Sequence, residues 1–222
     1  MALAAWLGYE VWTWPRVAQL ATRPPRTTAF IERYRAEQRA AGRDDRIRWS
    51  WVPYAAIALP VKRAAVVAED IRFFAHQGVD LDEVEDALER AVERGSLPRG
   101  ASTITQQLAK NLWLSPSRSP LRKVREAILA WQLERTLSKR RILELYLNVA
   151  EFGPGVYGVE AAARRYFGKS AAELGPLEAA QLAAGLPNPR TWHPGSASRA
   201  YQAYVARILG RMDRATWLDR LL

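Results

Sequence analysis

Acid–base chemistry in this chain falls to carboxylates. Cysteine is absent, and the only histidines among 222 residues are His76 and His193. Thiol nucleophiles, disulfides and zinc–thiolate sites are therefore excluded, and two histidines cannot alone build a histidine-rich metal site. Among the carboxylates, Glu69-Asp70 stands out. It closes the apolar run Ala64-Ala65-Val66-Val67-Ala68 and precedes Ile71-Arg72-Phe73-Phe74-Ala75-His76-Gln77-Gly78. A carboxylate at the rim of a buried helix has its pKa raised by desolvation, which suits a general base. A structural ion pair with a nearby arginine fits the same segment.

The stretch from Gly100 to Asn111 offers a different chemistry. On a helix, Ile104, Leu108 and Leu112 recur every four residues and make a buried face. Thr103, Gln107, Lys110 and Asn111 make a polar face with a single charge. Amide, hydroxyl and ammonium groups in a row suit a hydroxyl-rich, phosphorylated ligand; a satisfied polar network in a core is the other reading. Arg122 and Glu126, four apart with Lys123 between them, share one helix face. They read either as a surface ion pair or as a second carboxylate held beside phosphate-binding cations.

These groups need elements to position them. Helices are predicted nearly throughout from Val61 onward. The first covers Val61 to Asp70 and is apolar on most sides apart from Lys62-Arg63. Asp80 caps Leu81 to Arg94, with Glu83 in the capping-box place and Gly95 beyond the end. Thr103 to Leu114 follows. Ser119-Pro120 opens a helix to about Leu137, and Ser138 caps another ending near Val149. Further helices fit residues 159–167, 176–186 and 198–222. Upstream, Thr28 caps a helix over Ala29 to Ala41, with Gly42 beyond it. Arg46 to Trp51 alternates polar and apolar residues and reads as extended, and Glu151 to Gly158 reads as a glycine-rich loop. There is no βαβ alternation and no internal repeat, so the class is mainly α.

The length suits one domain with a small appendage, and 49% apolar with 25% charged residues suits a globular core. The net charge of +10 favours polyanionic partners, among them nucleic acid, anionic headgroups and pyrophosphate. Three of nine tryptophans, Trp6, Trp12 and Trp14, crowd the N-terminus beside Tyr9, as at a membrane interface. A fourteen-residue helix there would span about 21 Å, short of the roughly 30 Å of a bilayer core. Residues 1–22 therefore read as the outer end of a membrane anchor or as an interfacial helix, with a buried helix also open. Arg23-Pro24-Pro25-Arg26 reads as a linker, and 23–222 as the main domain.

Together the segments resemble glycosyltransferase family 51, the peptidoglycan polymerases found alone or fused to penicillin-binding transpeptidases. The motif E-D-x-x-F-x-x-H-x-G is matched by Glu69, Asp70, Phe73, His76 and Gly78. G-x-S-T-[IL]-[TS]-Q-Q-L-x-K-N is matched from Gly100 to Asn111, and R-K-x-x-E by Arg122, Lys123 and Glu126. A fourth motif is matched by Lys139, Arg141 to Glu144, Tyr146-Leu147-Asn148, Gly153 and Gly158, and continues through Tyr166-Phe167-Gly168. The last is matched by Glu178-Ala179-Ala180, Leu182-Ala183 and Pro187-Asn188-Pro189. Five motifs in order override the bland reading of each one alone.

The resemblance implies a lysozyme-like helical fold and a bacterial enzyme that polymerises lipid II into β-1,4-linked glycan with inversion, releasing undecaprenyl pyrophosphate. It implies Glu69 as the general base and Glu126 as the second carboxylate near the leaving pyrophosphate. Lys110, Arg122 and Lys123 are then pyrophosphate ligands, and Thr103, Gln107 and Asn111 position sugar and phosphate oxygens. No cofactor is required; a divalent ion at the pyrophosphate is left open. Expected partners are lipid II, the growing lipid-linked glycan, the membrane, and cell-wall synthesis or division proteins, at the outer face of the cytoplasmic membrane. Two other classes fit parts of the sequence. A lysozyme-type hydrolase also pairs carboxylates in a helical fold. A nucleic-acid-binding module would explain the charge but not the nearly uncharged motif helix.

Overall fold

The computed structural model describes residues 14–94, 102–117 and 119–222. Trp6, Tyr9 and Trp12, the expected helix stop Gly95, and Gly100 and Ala101 of the second motif lie outside the described residues.

The fold is mainly α, as expected, and the helix starts follow the capping chemistry. Helix α1 (Ala29–Ala40) begins where the Thr28 hydroxyl accepts from the Ile31 amide at 3.1 Å, and Gly42 just beyond its end adopts φ +63°. Helix α2 (Leu59–Glu69) carries Pro60 in its first turn, where no helical donor is lost. Asp80 receives the Glu83 amide at 3.2 Å and starts α3 (Leu81–Arg94). Helix α4 (Ile104–Trp113) opens on a full capping box. Thr103 accepts from the Gln106 amide, and the Gln106 side chain accepts from the Thr103 amide, both at 3.1 Å. Helix α5 (Pro120–Thr136) starts with proline, and α6 (Lys139–Val149) is capped by Ser138. Helices α7 (Val159–Phe167), α8 (Pro176–Gly185) and α9 (Arg199–Arg214) complete the set. The last ends before the sequence pattern does, and a 3-10 turn over Thr216–Arg220 follows.

Two groups of helices make the core. In one, α2 packs on α8 and α9; in the other, α4 packs on α5 and α6. Ile104, Leu108 and Leu112 are buried, as their four-residue spacing requires. The segment read as a glycine-rich loop is a β-hairpin. Strand β1 (Arg48–Trp49) runs parallel to β3 (Val156–Tyr157), and β2 (Glu151–Gly153) pairs antiparallel with β3. Such strands are too short to show a period of two, and Gly153-Pro154-Gly155 masks them; burial of Phe152, Val156 and Tyr157 fixes the pairing. Gly158 (φ +79°) must be glycine, since a Cβ would sit 2.7 Å from the Asn148 carbonyl oxygen.

Residues 14–21, part of the expected anchor segment, lie against the domain. The Trp14 indole donates to Gln132 on α5 at 2.7 Å, and Val17 and Leu20, in a 3-10 turn over Val17–Ala21, are buried in the core. Among the described residues no helix is long and apolar enough to cross a membrane.

Candidate active site

Glu69 is the last residue of α2, so its carboxylate sits at the negative end of that helix where the chain turns from core to cleft. One oxygen, Oε2, accepts from the Gln107 amide nitrogen at 2.7 Å. The orientation of that amide is set from behind, because the Tyr146 hydroxyl donates to its oxygen at 3.1 Å. Burial raises the Glu69 pKa; the Gln107 hydrogen bond and the Lys110 charge lower it in part, and Asp70 adds to the rise. A partly held carboxylate of raised basicity beside open space is what a general base requires.

Asp70 does something else. Its Oδ2 accepts from the Ile104 amide at 2.9 Å, at the positive end of α4, and both its oxygens lie 3.0 Å from His76 Nε2. His76 Nδ1 accepts from the Gly78 amide at 3.2 Å, so the ring proton resides on Nε2 and is donated to Asp70. The Thr103 hydroxyl donates to the Gly78 carbonyl at 2.5 Å. Lys139 bonds the His76 carbonyl at 2.7 Å and Glu134 at 2.8 Å, and Thr105 donates to Glu134 at 2.6 Å. Gly78 itself (φ +94°) lies so close to α5 that a Cβ would be 2.9 Å from the Ala130 carbonyl carbon. The first two motifs are thus one hydrogen-bonded unit, and Glu69 is the carboxylate of that unit with the fewest donors.

That cleft has a volume of about 140 Å³ and is bordered by Glu69, Asp70, Arg72, Ser102, Thr103 and Arg211. It lies at the seam of the two helix groups, with Glu69 on α2, Thr103 at the start of α4 and Arg211 on α9.

The second acidic group, Glu126 on α5, is buried and receives ion pairs from Arg122 and Lys123. Lys123 also bonds the Ser102 hydroxyl at 2.9 Å, which ties this cluster to the cleft rim. Lys110 stands between the two carboxylates. Its pKa is lowered by burial first; Glu126 and Glu69 push it up, while Arg122 and Lys123 push it down. Among the described residues its ammonium has no hydrogen bond or ion pair, and the Phe30 ring lies with its centroid 5.9 Å from the ammonium. Lys110, Arg122 and Lys123 outnumber Glu126, so the cluster carries surplus positive charge suited to a phosphate or diphosphate.

The structure therefore brings Glu69, Gln107 and Lys110 together, and Lys110 with Arg122, Lys123 and Glu126. Thr103 is buried as the helix cap, its hydroxyl engaged by Gly78 and Gln106. Asn111 is half-buried, and its side chain has no hydrogen bond among the described residues. Sequence reasoning missed Tyr146 as the group that orients Gln107, Ser102 as the link between clusters, and Arg211 in the cleft wall. Tyr146 and Ser102 lie within the matched motifs, which signalled the position but not the role; Arg211 had no local signal.

Comparison with known proteins identifies the family of the chain. Residues 36–213 match the family model described as Transglycosylase. The chain is 49% identical over 207 residues to the biosynthetic peptidoglycan transglycosylase of Thiobacillus denitrificans, covering 93% of this chain and 89% of the relative. It is 48% identical to that of Azoarcus sp., covering 95% and 91%. It is 50% identical over 186 residues to that of Bordetella pertussis, covering 82% and 77%.

Proposed function

Since the chain belongs to the transglycosylase family and is a peptidoglycan glycosyltransferase of lysozyme-like helical fold, we propose that it polymerises lipid II by direct, inverting attack with release of undecaprenyl pyrophosphate. Glu69 takes the proton of the acceptor's 4-hydroxyl as that oxygen attacks the anomeric carbon of the donor. Inversion needs a base on one face of the sugar and a stabilised leaving group on the other. The observation that carries this reading is the placement of Lys110, whose charge acts on Glu69 on one side and on the Glu126 cluster on the other. Lys110, Arg122 and Lys123 neutralise charge as the bond to the diphosphate breaks. Glu126 holds the two α5 cations in place. Gln107 and Asn111 orient sugar and phosphate oxygens.

A divalent ion does not fit Glu126 as it stands. Arg122 and Lys123 occupy its two oxygens, and Lys110 adds a third nearby positive charge.

The reading places the enzyme in the cell envelope, at the outer face of the cytoplasmic membrane, where its polyprenyl-linked substrate resides. Leu121, Val124, Ile128 and Trp131 form an exposed apolar row along α5, and the +10 net charge favours anionic headgroups. Cell-wall synthesis or division proteins are the expected partners there.

The test is lipid II polymerisation by purified protein and by Glu69→Gln. A base contributes about 10²–10⁴-fold, so the variant should lose at least a hundredfold while keeping its circular dichroism spectrum. A folded variant that retained most of its rate would remove Glu69 from the role. Fragment release from finished peptidoglycan with no polymer from lipid II would replace synthesis by hydrolysis.

A further inference from the structure

Glu151 on β2 lies outside the site and is 9% exposed, yet its Oε1 is buried with no hydrogen-bond partner. The nearest cation is Arg190 in the turn after α8, whose Nε is 3.9 Å from Oε1, beyond hydrogen-bond reach. Arg190 instead bonds Glu37 on α1 at 2.9 Å, and Glu37 is also bonded by Arg33 at 2.6 Å. One guanidinium thus lies between two carboxylates and is hydrogen-bonded to only one of them.

The engaged carboxylate belongs to an element that touches the site. Helix α1 packs on α4, and its Phe30 lies over Lys110. The hairpin holds the same helix. The Tyr157 hydroxyl meets the Phe30 carbonyl at 3.5 Å, and Tyr34 packs edge-on against Tyr157.

We propose that Glu37, Arg190 and Glu151 form a proton-controlled clasp on α1, and that Glu151 is a positioning residue for the Lys110 face of the site. With Glu151 neutral, Arg190 stays on Glu37 and α1 is held. With Glu151 ionised, a buried carboxylate whose Oε1 lacks a donor competes for Arg190, and α1 loosens at Glu37. The activity half of this inference rests on the polymerase reading; the structural half does not.

The surroundings of Glu151 agree. Burial pushes its pKa up to about 7; Arg190 opposes this, Glu37 adds to it, and Arg33 and the Gly155 amide oppose it. Two tyrosines, Tyr157 on β3 and Tyr166 on α7, also face it, and their own pKa values are raised chiefly by burial. Tyr166 stacks on His193, with centroids 5.7 Å apart. Of the other charged groups on the packed helices, Glu160 pairs with Arg164 and Glu178 with Lys169, while Arg165 is exposed and acts on Tyr166. Because the folded pKa lies above the ordinary value, the folded, clasped state binds the extra proton. Clasp stability is full below 4.5 and is lost as pH rises towards about 7, then levels off.

The experiment measures hydrogen-exchange protection of the α1 amides, corrected for intrinsic exchange, together with KM and kcat for lipid II across that pH window. In the wild type the α1 opening constant should rise by up to about tenfold per pH unit and then flatten, with KM rising in parallel. Glu151→Gln should abolish both trends. Glu37→Gln, which removes the carboxylate that Arg190 holds, should leave the α1 opening constant high and nearly independent of pH, and serves if the first variant does not fold. An α1 trend that persisted unchanged in either variant would overturn the clasp. A lost α1 trend with an unaltered KM profile would overturn the positioning role. Absence of polymerisation in the wild type would sink the polymerase reading, and α1 exchange would still decide the clasp.

Discussion

Glu69 and Asp70 are adjacent carboxylates with opposite assignments, and the hydrogen bonds explain the division. Asp70 has strong donors in the Ile104 amide and His76. Glu69 has one, Gln107, and otherwise meets burial. Gln107 lowers the Glu69 pKa, so its removal must raise that pKa further. Gln107→Ala should therefore move the acidic limb of the kcat/KM–pH profile to higher pH; a limb that stayed in place would mean that Glu69 does not set it. The same burial makes the ionised base a cost to stability. A raised folded pKa means stability falls as pH rises above the ordinary 4.5. Glu69→Gln, expected to lose catalysis, should melt no lower than wild type at neutral pH, and a lower melting temperature would show that the carboxylate also holds structure.

At the scale of elements, the site depends on how the segment carrying the first motif lies on α5. Gly78 combines φ +94° with backbone atoms of Ala130 and Trp131 where a Cβ would go, whereas Gly168 combines φ +69° with open space. Gly78→Ala should cost more than the strain of about 1–3 kcal/mol at a disfavoured backbone angle, while Gly168→Ala should show the strain alone. Thermal unfolding compares them, and equal losses would show that the approach to α5 is slack. Much of this layer was legible in the sequence, because caps are local: Thr28, Asp80, Thr103 and Ser138 each start the helix they announce. The hairpin was not legible, since its pairing is set by burial of Phe152 and Tyr157 rather than by any run long enough to show a period. The same holds within the site. Motif spacing pointed to Glu69, Gln107 and Lys110, but the Tyr146–Gln107 bond and the approach of Arg211 are long-range contacts that no local pattern encodes.

For the whole molecule, the exposed row on α5 is the feature that relates the fold to its surroundings. Burying one such side chain in apolar surroundings is worth about 1.5–3 kcal/mol, so changing Leu121, Val124 and Ile128 together to serine should weaken liposome binding by well over about tenfold. Polymerisation of detergent-dispersed substrate should change little, because these side chains face away from the site's buried network. Unaltered liposome affinity would move the membrane contact elsewhere. The seam between the two helix groups has a consequence for inhibitor design. It sets the carboxylates Glu69 and Asp70 at one end and the surplus cations of Lys110, Arg122 and Lys123 at the other. A complementary molecule is therefore itself polarised: uncharged and hydroxyl-bearing where it meets Glu69, doubly anionic where it meets the cations. A phosphonate added at the cationic end of a glycan mimic should tighten binding, and the same group moved to the other end should weaken it. Overall negative charge is then a poor guide to potency in such a series, and the direction of the ligand's dipole a better one.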